Sequence, residues 1–150
     1  MKITSRTFLF ILILAVICTS ILTWPFITKL SSFSDDNSDY SHLRWTYWYN
    51  LRSIQTGRIF NQELYFNTSQ YYPLPLAFAS NEHLLLPTLL ILPLYETINN
   101  LTFSVNSITF ASFILTFIAS YYFLNYFFKN KFAIFVGAFV YTFNPLTFAH

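Results

Sequence analysis

Three stretches of the chain run without a charged side chain, and they predict its architecture. The first, residues 7–24 ("TFLFILILAVICTSILTW"), follows Lys2 and Arg6 and stops at Pro25. At about 1.5 Å of rise per residue it reaches most of the way across a hydrocarbon core about 30 Å thick. The second, residues 105–128 ("VNSITFASFILTFIASYYFLNYFF"), is long enough to span with some tilt and closes on Lys129 and Lys131. The third, residues 132–149 ("FAIFVGAFVYTFNPLTFA"), begins after only "KNK". The second and third therefore predict a tight helical hairpin. A fourth apolar run, residues 84–94 ("LLLPTLLILPL"), is too short to cross and is interrupted by Pro87 and Pro93. It predicts a re-entrant or broken helix packed on protein, where irregular backbone is tolerated at membrane depth.

Between the first two spans lies a segment of different texture, residues 25–104. Its stretch 40–56 has helical periodicity: Trp45, Trp48, Tyr49 and Arg52 fall at i, i+3, i+4 and i+7, which is one face. Ser38 or Asp39 is the expected N-cap, and Gly57 the expected stop. Tryptophan and tyrosine favour the headgroup level of a bilayer, so this helix is expected to lie at the membrane interface. Loops this long are usually functional.

Composition supports the membrane reading. The chain is 55% hydrophobic and 22% aromatic with only 9% charged residues, against about a quarter charged in soluble domains. The net charge of +2 is too small to suggest nucleic acid as a partner. Cys18 is the single cysteine, so no intrachain disulfide can form. A signal peptide is the competing reading of residues 7–24, but no small-x-small cleavage pattern follows. Basic residues near span ends favour the cytoplasm. Lys2 and Arg6 place the N-terminus inside, and Lys129 and Lys131 place the hairpin turn inside. Both assignments put residues 25–104 outside the cell. The class expected is an all-α, multi-pass helical membrane protein with a long first extracytoplasmic loop.

All six acidic residues fall in that loop: Asp35, Asp36, Asp39, Glu63, Glu82 and Glu96. Asp35, Asn37 and Asp39 have the spacing that opens an EF-hand. That loop needs Gly at position six and Glu at position twelve, and here these are Tyr40 and Thr46. Asp39 is a helix cap or a catalytic carboxylate. Glu82 and His83 are an acid–base pair or a polar anchor at a helix start. Zincin, Walker and nucleophile-elbow motifs are absent.

In order, "DYSHLRWTYWYNLRSIQTG", "YYPLPLAFASNEHLLL", "LPLYETINN", the second span, the basic turn and "AFVYTFNPLTFAH" resemble the N-terminal part of multi-pass membrane proteins of the GT-C glycosyltransferase superfamily, YfhO-like relatives included. The resemblance covers nearly the whole chain. It implies transfer of a sugar from a polyprenyl-phosphate carrier to an acceptor on the outer face, in a prokaryotic plasma membrane. It also implies a longer protein with more spans, of which residues 1–150 are one N-terminal piece. A functional aspartate in the first outer loop is expected, and Asp39, six residues before Trp45, matches by spacing. Ser38 stands where these relatives usually carry Gly, which leaves Asp35 and Asp36 as competitors.

Such a carboxylate accepts the acceptor's proton or holds a divalent metal on the phosphate. Asp35, Asp36 and Asp39 are the candidate metal ligands. Cations beside the leaving phosphate would come from Arg44, Arg52 and Arg58. Glu82 or His83 would be a second acid or ligand, and His150 a further outer-face residue. The implied partners are a lipid-linked sugar donor and membrane lipid. The competing function is a non-catalytic membrane protein, a transporter subunit or envelope-assembly component. A transporter predicts charged groups at mid-span, and the apolar stretches here carry none.

Overall fold

A computed structural model describes residues 5–33, 38–68 and 73–144. Among these residues every regular element is helical: α1 (Ser5–Leu22), α2 (Ser38–Gln55), α3 (Gln62–Phe66), α4 (Leu85–Ile98), α5 (Leu101–Phe127) and α6 (Lys131–Thr142), with short 3-10 turns between some of them. The chain forms two compact units, Met1–Leu30 with Thr109–His150, and Ser31–Ile108.

In the first unit, α1 buries Ile11, Ala15 and Thr19. They recur every fourth residue, so they make one narrow stripe. The rest of the helix leaves Phe8, Leu9, Phe10, Ile13, Ile17 and Ile21 exposed. A helix that is apolar on all sides suits a hydrocarbon surrounding rather than water. α1 stops at Leu22, slightly before the expected end, because the chain turns at residues 23–25 into Pro25, which has no N–H to continue the ladder. The unit's core is Ile11, Ala15, Phe117 and Ala138, ringed by Ile114, Leu124, Phe135 and Phe139. The expected α5–α6 hairpin is present. Asn130 caps α6, its side-chain oxygen accepting from the N–H groups of Phe132 (3.0 Å) and Ala133 (3.3 Å). Gly137 lets α6 approach closely, since a Cβ there would stand 2.8 Å from Cδ1 of Leu124.

α1 and α5 are long and apolar enough to cross a membrane. α6 is not, over its described length. The expected span 132–149 gives a helix of 12 residues, about 18 Å long. It ends at Thr142, ahead of Asn144-Pro145, because the residue before proline is disfavoured in helical geometry. α5 starts at Leu101, four residues earlier than expected. The Asn100 side chain accepts from the N–H of Phe103 (2.9 Å) and caps the helix there.

The second unit corrects two expectations. Residues 84–94 do not break: α4 runs unbroken through Pro87 and Pro93. Pro87 lies in the first turn, where its missing N–H would have had no intrahelical partner. Pro93 deprives the carbonyl of Leu89 of a donor, but both residues are exposed. Likewise α2, expected to present one aromatic face, is packed on more than one side by its own unit. Tyr47 and Leu51 pack with Ile91 and Val105. Tyr49, with Trp45 beside it, packs against Tyr65 and Phe78. Between these two apolar stripes Thr46, Asn50 and Ser53 are also buried. Most of the circumference of α2 is therefore covered by its own unit.

Asn50 joins the two stripes. Its amide nitrogen donates to the carbonyl of His83 and to Oγ1 of Thr88 (3.3 Å), and its oxygen accepts from the Tyr65 hydroxyl (2.8 Å). The Tyr49 hydroxyl donates to the carbonyl of Tyr65 (2.8 Å). Near the other end of α2, the Tyr40 hydroxyl donates to Oδ1 of Asn106 (2.8 Å), whose amide nitrogen donates to the carbonyl of Phe33 (3.1 Å). These bonds satisfy buried polar atoms and fix the rotation of α2 about its axis.

Candidate functional site

α2 carries most of the candidate residues. Ser38 and Asp39 both lie inside the helix, so neither is its N-cap; the capping position falls outside the described residues. Asp39 is exposed in the first turn. A carboxylate is favourable there because it faces the unpaired N–H groups of the helix start. Asp35, Asp36 and His150 lie outside the described residues.

Arg52 and Arg58 do not converge on Asp39. Arg44 is five residues further along α2 and, at 3.6 residues per turn, about 140° around the axis. Its guanidinium carbon lies 6.0 Å from the centroid of the Tyr40 ring. Arg52 is thirteen residues from Asp39, about 20 Å along the helix. Arg58 follows Gly57, which adopts the expected left-handed conformation at φ 71° and ends the helix. Groups acting on one reaction centre must bring the reacting atoms to about 3–3.5 Å. Asp39 and the Arg52–Arg58 pair cannot serve the same one. The residues that share the face of Asp39 are His42 and Leu43, three and four positions on.

Arg52 and Arg58 meet instead at a cleft of about 490 Å³. Its lining is Trp45, Trp48, Tyr49, Ser53, Thr56, Asn67 and Thr68 with the two arginines. The four residues of the expected helical face thus do share a surface, but it lines a cleft. No carboxylate is among the lining residues. Neither guanidinium has a hydrogen-bond or ion-pair partner among the described residues. Trp48 is 46% exposed, while Trp45 is stacked on Tyr49 at 5.1 Å and 10°.

Glu82 and His83 do not form a side-chain pair. Glu82 is exposed. The His83 ring is set among Tyr65, Phe66 and Phe78, with centroids 6.3, 5.6 and 5.2 Å away. Its Nδ1 is buried with no hydrogen-bond partner among the described residues. Burial, and the neighbouring Tyr49, push the Tyr65 hydroxyl up to about 12. This cluster is a packed aromatic core with His83 at its edge. No group of three or more His, Cys, Asp or Glu able to hold a metal occurs among the described residues; Asp35 and Asp36, two of the three candidate ligands, lie outside them.

Sequence reasoning missed Asn50, Ser53, Tyr65, Asn67 and Asn106. A signal existed for Asn50 and Ser53: with Thr46 they fall at i, i+4 and i+7 of α2, one uncharged polar stripe on a helix face. Nothing local marked Tyr65 or Asn67 as their neighbours. Compared with protein families, curated proteins and solved structures, the chain matches none.

Proposed function

We propose that this chain is the N-terminal module of a multi-pass membrane glycosyltransferase of the GT-C type. It would pass a sugar from a polyprenyl-phosphate carrier to an acceptor on the extracytoplasmic face, with the N-terminus in the cytoplasm. The observation that carries the reading is the setting of Asp39. It is an exposed carboxylate at the start of a helix that is locked by buried contacts, on the segment between two helices long enough to cross a membrane. Rigid support of this kind holds a base in position for a substrate presented at a bilayer surface.

In this reading Asp39 takes the proton of the acceptor hydroxyl. The acceptor oxygen forms its bond to the anomeric carbon as the bond from that carbon to the phosphate oxygen breaks. The electron pair leaves on the polyprenyl phosphate. Of the three arginines Arg44 is nearest to Asp39 along α2, and it is the one assigned to the developing phosphate charge. The carrier's hydrocarbon would lie in the bilayer core.

The test is Asp39→Asn in the full-length protein, assayed in membranes with polyprenyl-phosphate-linked sugar. Loss of transfer by at least about a hundredfold, at unchanged membrane abundance, is expected for removal of a general base. Transfer at the parent rate would refute the assignment of Asp39.

A further inference from the structure

The Arg52–Arg58 cleft is left without a role by that mechanism, because Arg52 stands about 20 Å along α2 from Asp39. Its lining combines three chemistries. Two guanidinium groups without partners among the described residues supply positive charge, and no carboxylate is among the residues that line the cleft. The indole of Trp48 offers an exposed flat face, stacked on no ring among the described residues. Around these stand Ser53, Thr56, Asn67 and Thr68, which present hydroxyl and amide groups.

Ser53 shows that the polar lining is incomplete. Its residue is 0% exposed, yet its hydroxyl has no hydrogen-bond partner among the described residues. A buried hydroxyl left unmade costs about 1–3 kcal/mol, so a polar ligand atom reaching it would be held favourably. The volume of about 490 Å³ lies in the range of small-molecule sites, about 300–1,000 Å³.

We propose that this cleft binds a saccharide ring carrying an anionic group, a carboxylate or a phosphate. The C–H face of the ring covers the Trp48 indole, which buries apolar surface at low entropic cost. The anion lies between Arg52 and Arg58, in charge-assisted hydrogen bonds. The ring hydroxyls pair with side chains that both donate and accept: Ser53, Thr56 and Asn67. A nucleotide shares the anion and a flat ring, but its base has fewer hydroxyls to meet this lining. The site is independent of the transferase reading and of Asp39.

The test uses the chain in phosphatidylcholine nanodiscs, which carry no sugar headgroup. A Trp24→Phe background leaves Trp45 and Trp48, both in the cleft, as the only indoles. Glucuronate and glucose 6-phosphate are expected to change the fluorescence saturably. Glucose and inorganic phosphate each require at least tenfold higher concentration. Arg52→Gln and Arg58→Gln each weaken binding about tenfold or more, with the unfolding midpoint unchanged because neither guanidinium has a partner among the described residues. Asp39→Asn binds as the parent does.

Four results would overturn the proposal. One is no saturable change with either acidic saccharide, and a second is inorganic phosphate binding as tightly as glucose 6-phosphate. A third is uridine monophosphate binding more tightly than both saccharides. The last is phosphatidylglycerol in the nanodisc producing the full fluorescence change without saccharide, which would assign the cleft to a lipid headgroup.

Discussion

Replacing Asn50 tests the packing argument at its centre. Asn50 is fully buried and makes three hydrogen bonds, to the carbonyl of His83, to Oγ1 of Thr88 and from the Tyr65 hydroxyl. Asn50→Ala removes all three, each contributing about 1 kcal/mol net, and leaves the Tyr65 hydroxyl and the His83 carbonyl without partners. Thr88 is less affected, because its hydroxyl still donates to the carbonyl of Leu84 at 2.7 Å. The expected destabilisation is about 3–5 kcal/mol. Tyr65→Phe removes one bond and strands the Asn50 oxygen, at a cost of about 1–3 kcal/mol. In the double variant the hydroxyl and the amide are both gone, so neither is stranded. Its cost should fall short of the sum by about 1–2 kcal/mol. The measurement is denaturant unfolding of the four proteins in nanodiscs, followed by the fluorescence of Trp45 and Trp48. A cost below about 1 kcal/mol for Asn50→Ala, or additivity within about 0.3 kcal/mol, would refute the view that Asn50 joins the two halves of this core.

Stability should also fall at high pH. The Tyr65 hydroxyl is raised from an ordinary value near 10 to about 12 by burial first and Tyr49 second. A raised folded value means that the neutral form is favoured in the fold. Its contribution, of order 2 kcal/mol, is complete below pH 10 and lost between about pH 10 and 12. A pH titration of unfolding should show this loss in the parent and a smaller one in Tyr65→Phe; equal slopes would refute it. In the first unit, Gly137→Val should cost about 1 kcal/mol, because a Cβ there meets only the end of the Leu124 side chain, at 2.8 Å, which must shift. Adding Leu124→Ala should recover part of the loss in the same unfolding assay, and no recovery would place the strain elsewhere.

The sequence by itself determined the local features. Uncharged apolar stretches specify α1 and α5 because a helix long enough to cross a bilayer needs little else. The left-handed turn at Gly57 was legible because glycine adopts positive φ at little cost. The common face of Trp45, Trp48, Tyr49 and Arg52 was legible because a 3.6-residue period fixes which side chains are neighbours. The identity of that face was not legible. Whether it meets lipid, water or protein depends on residues 58–68, which return past it after Gly57, and no periodicity encodes such a return. The same limit applies to Asn50. Its partners are 15, 33 and 38 positions away, and only packing brings them together. Proline was the remaining source of error. A proline within an apolar run reads as a break, yet Pro87 falls where no N–H is needed and Pro93 where the orphaned carbonyl is exposed. The separation of Asp39 from Arg52, about 20 Å over thirteen residues, follows from helix rise alone; tertiary structure decided that Arg58 joins Arg52, because the chain returning after Gly57 places both at one cleft.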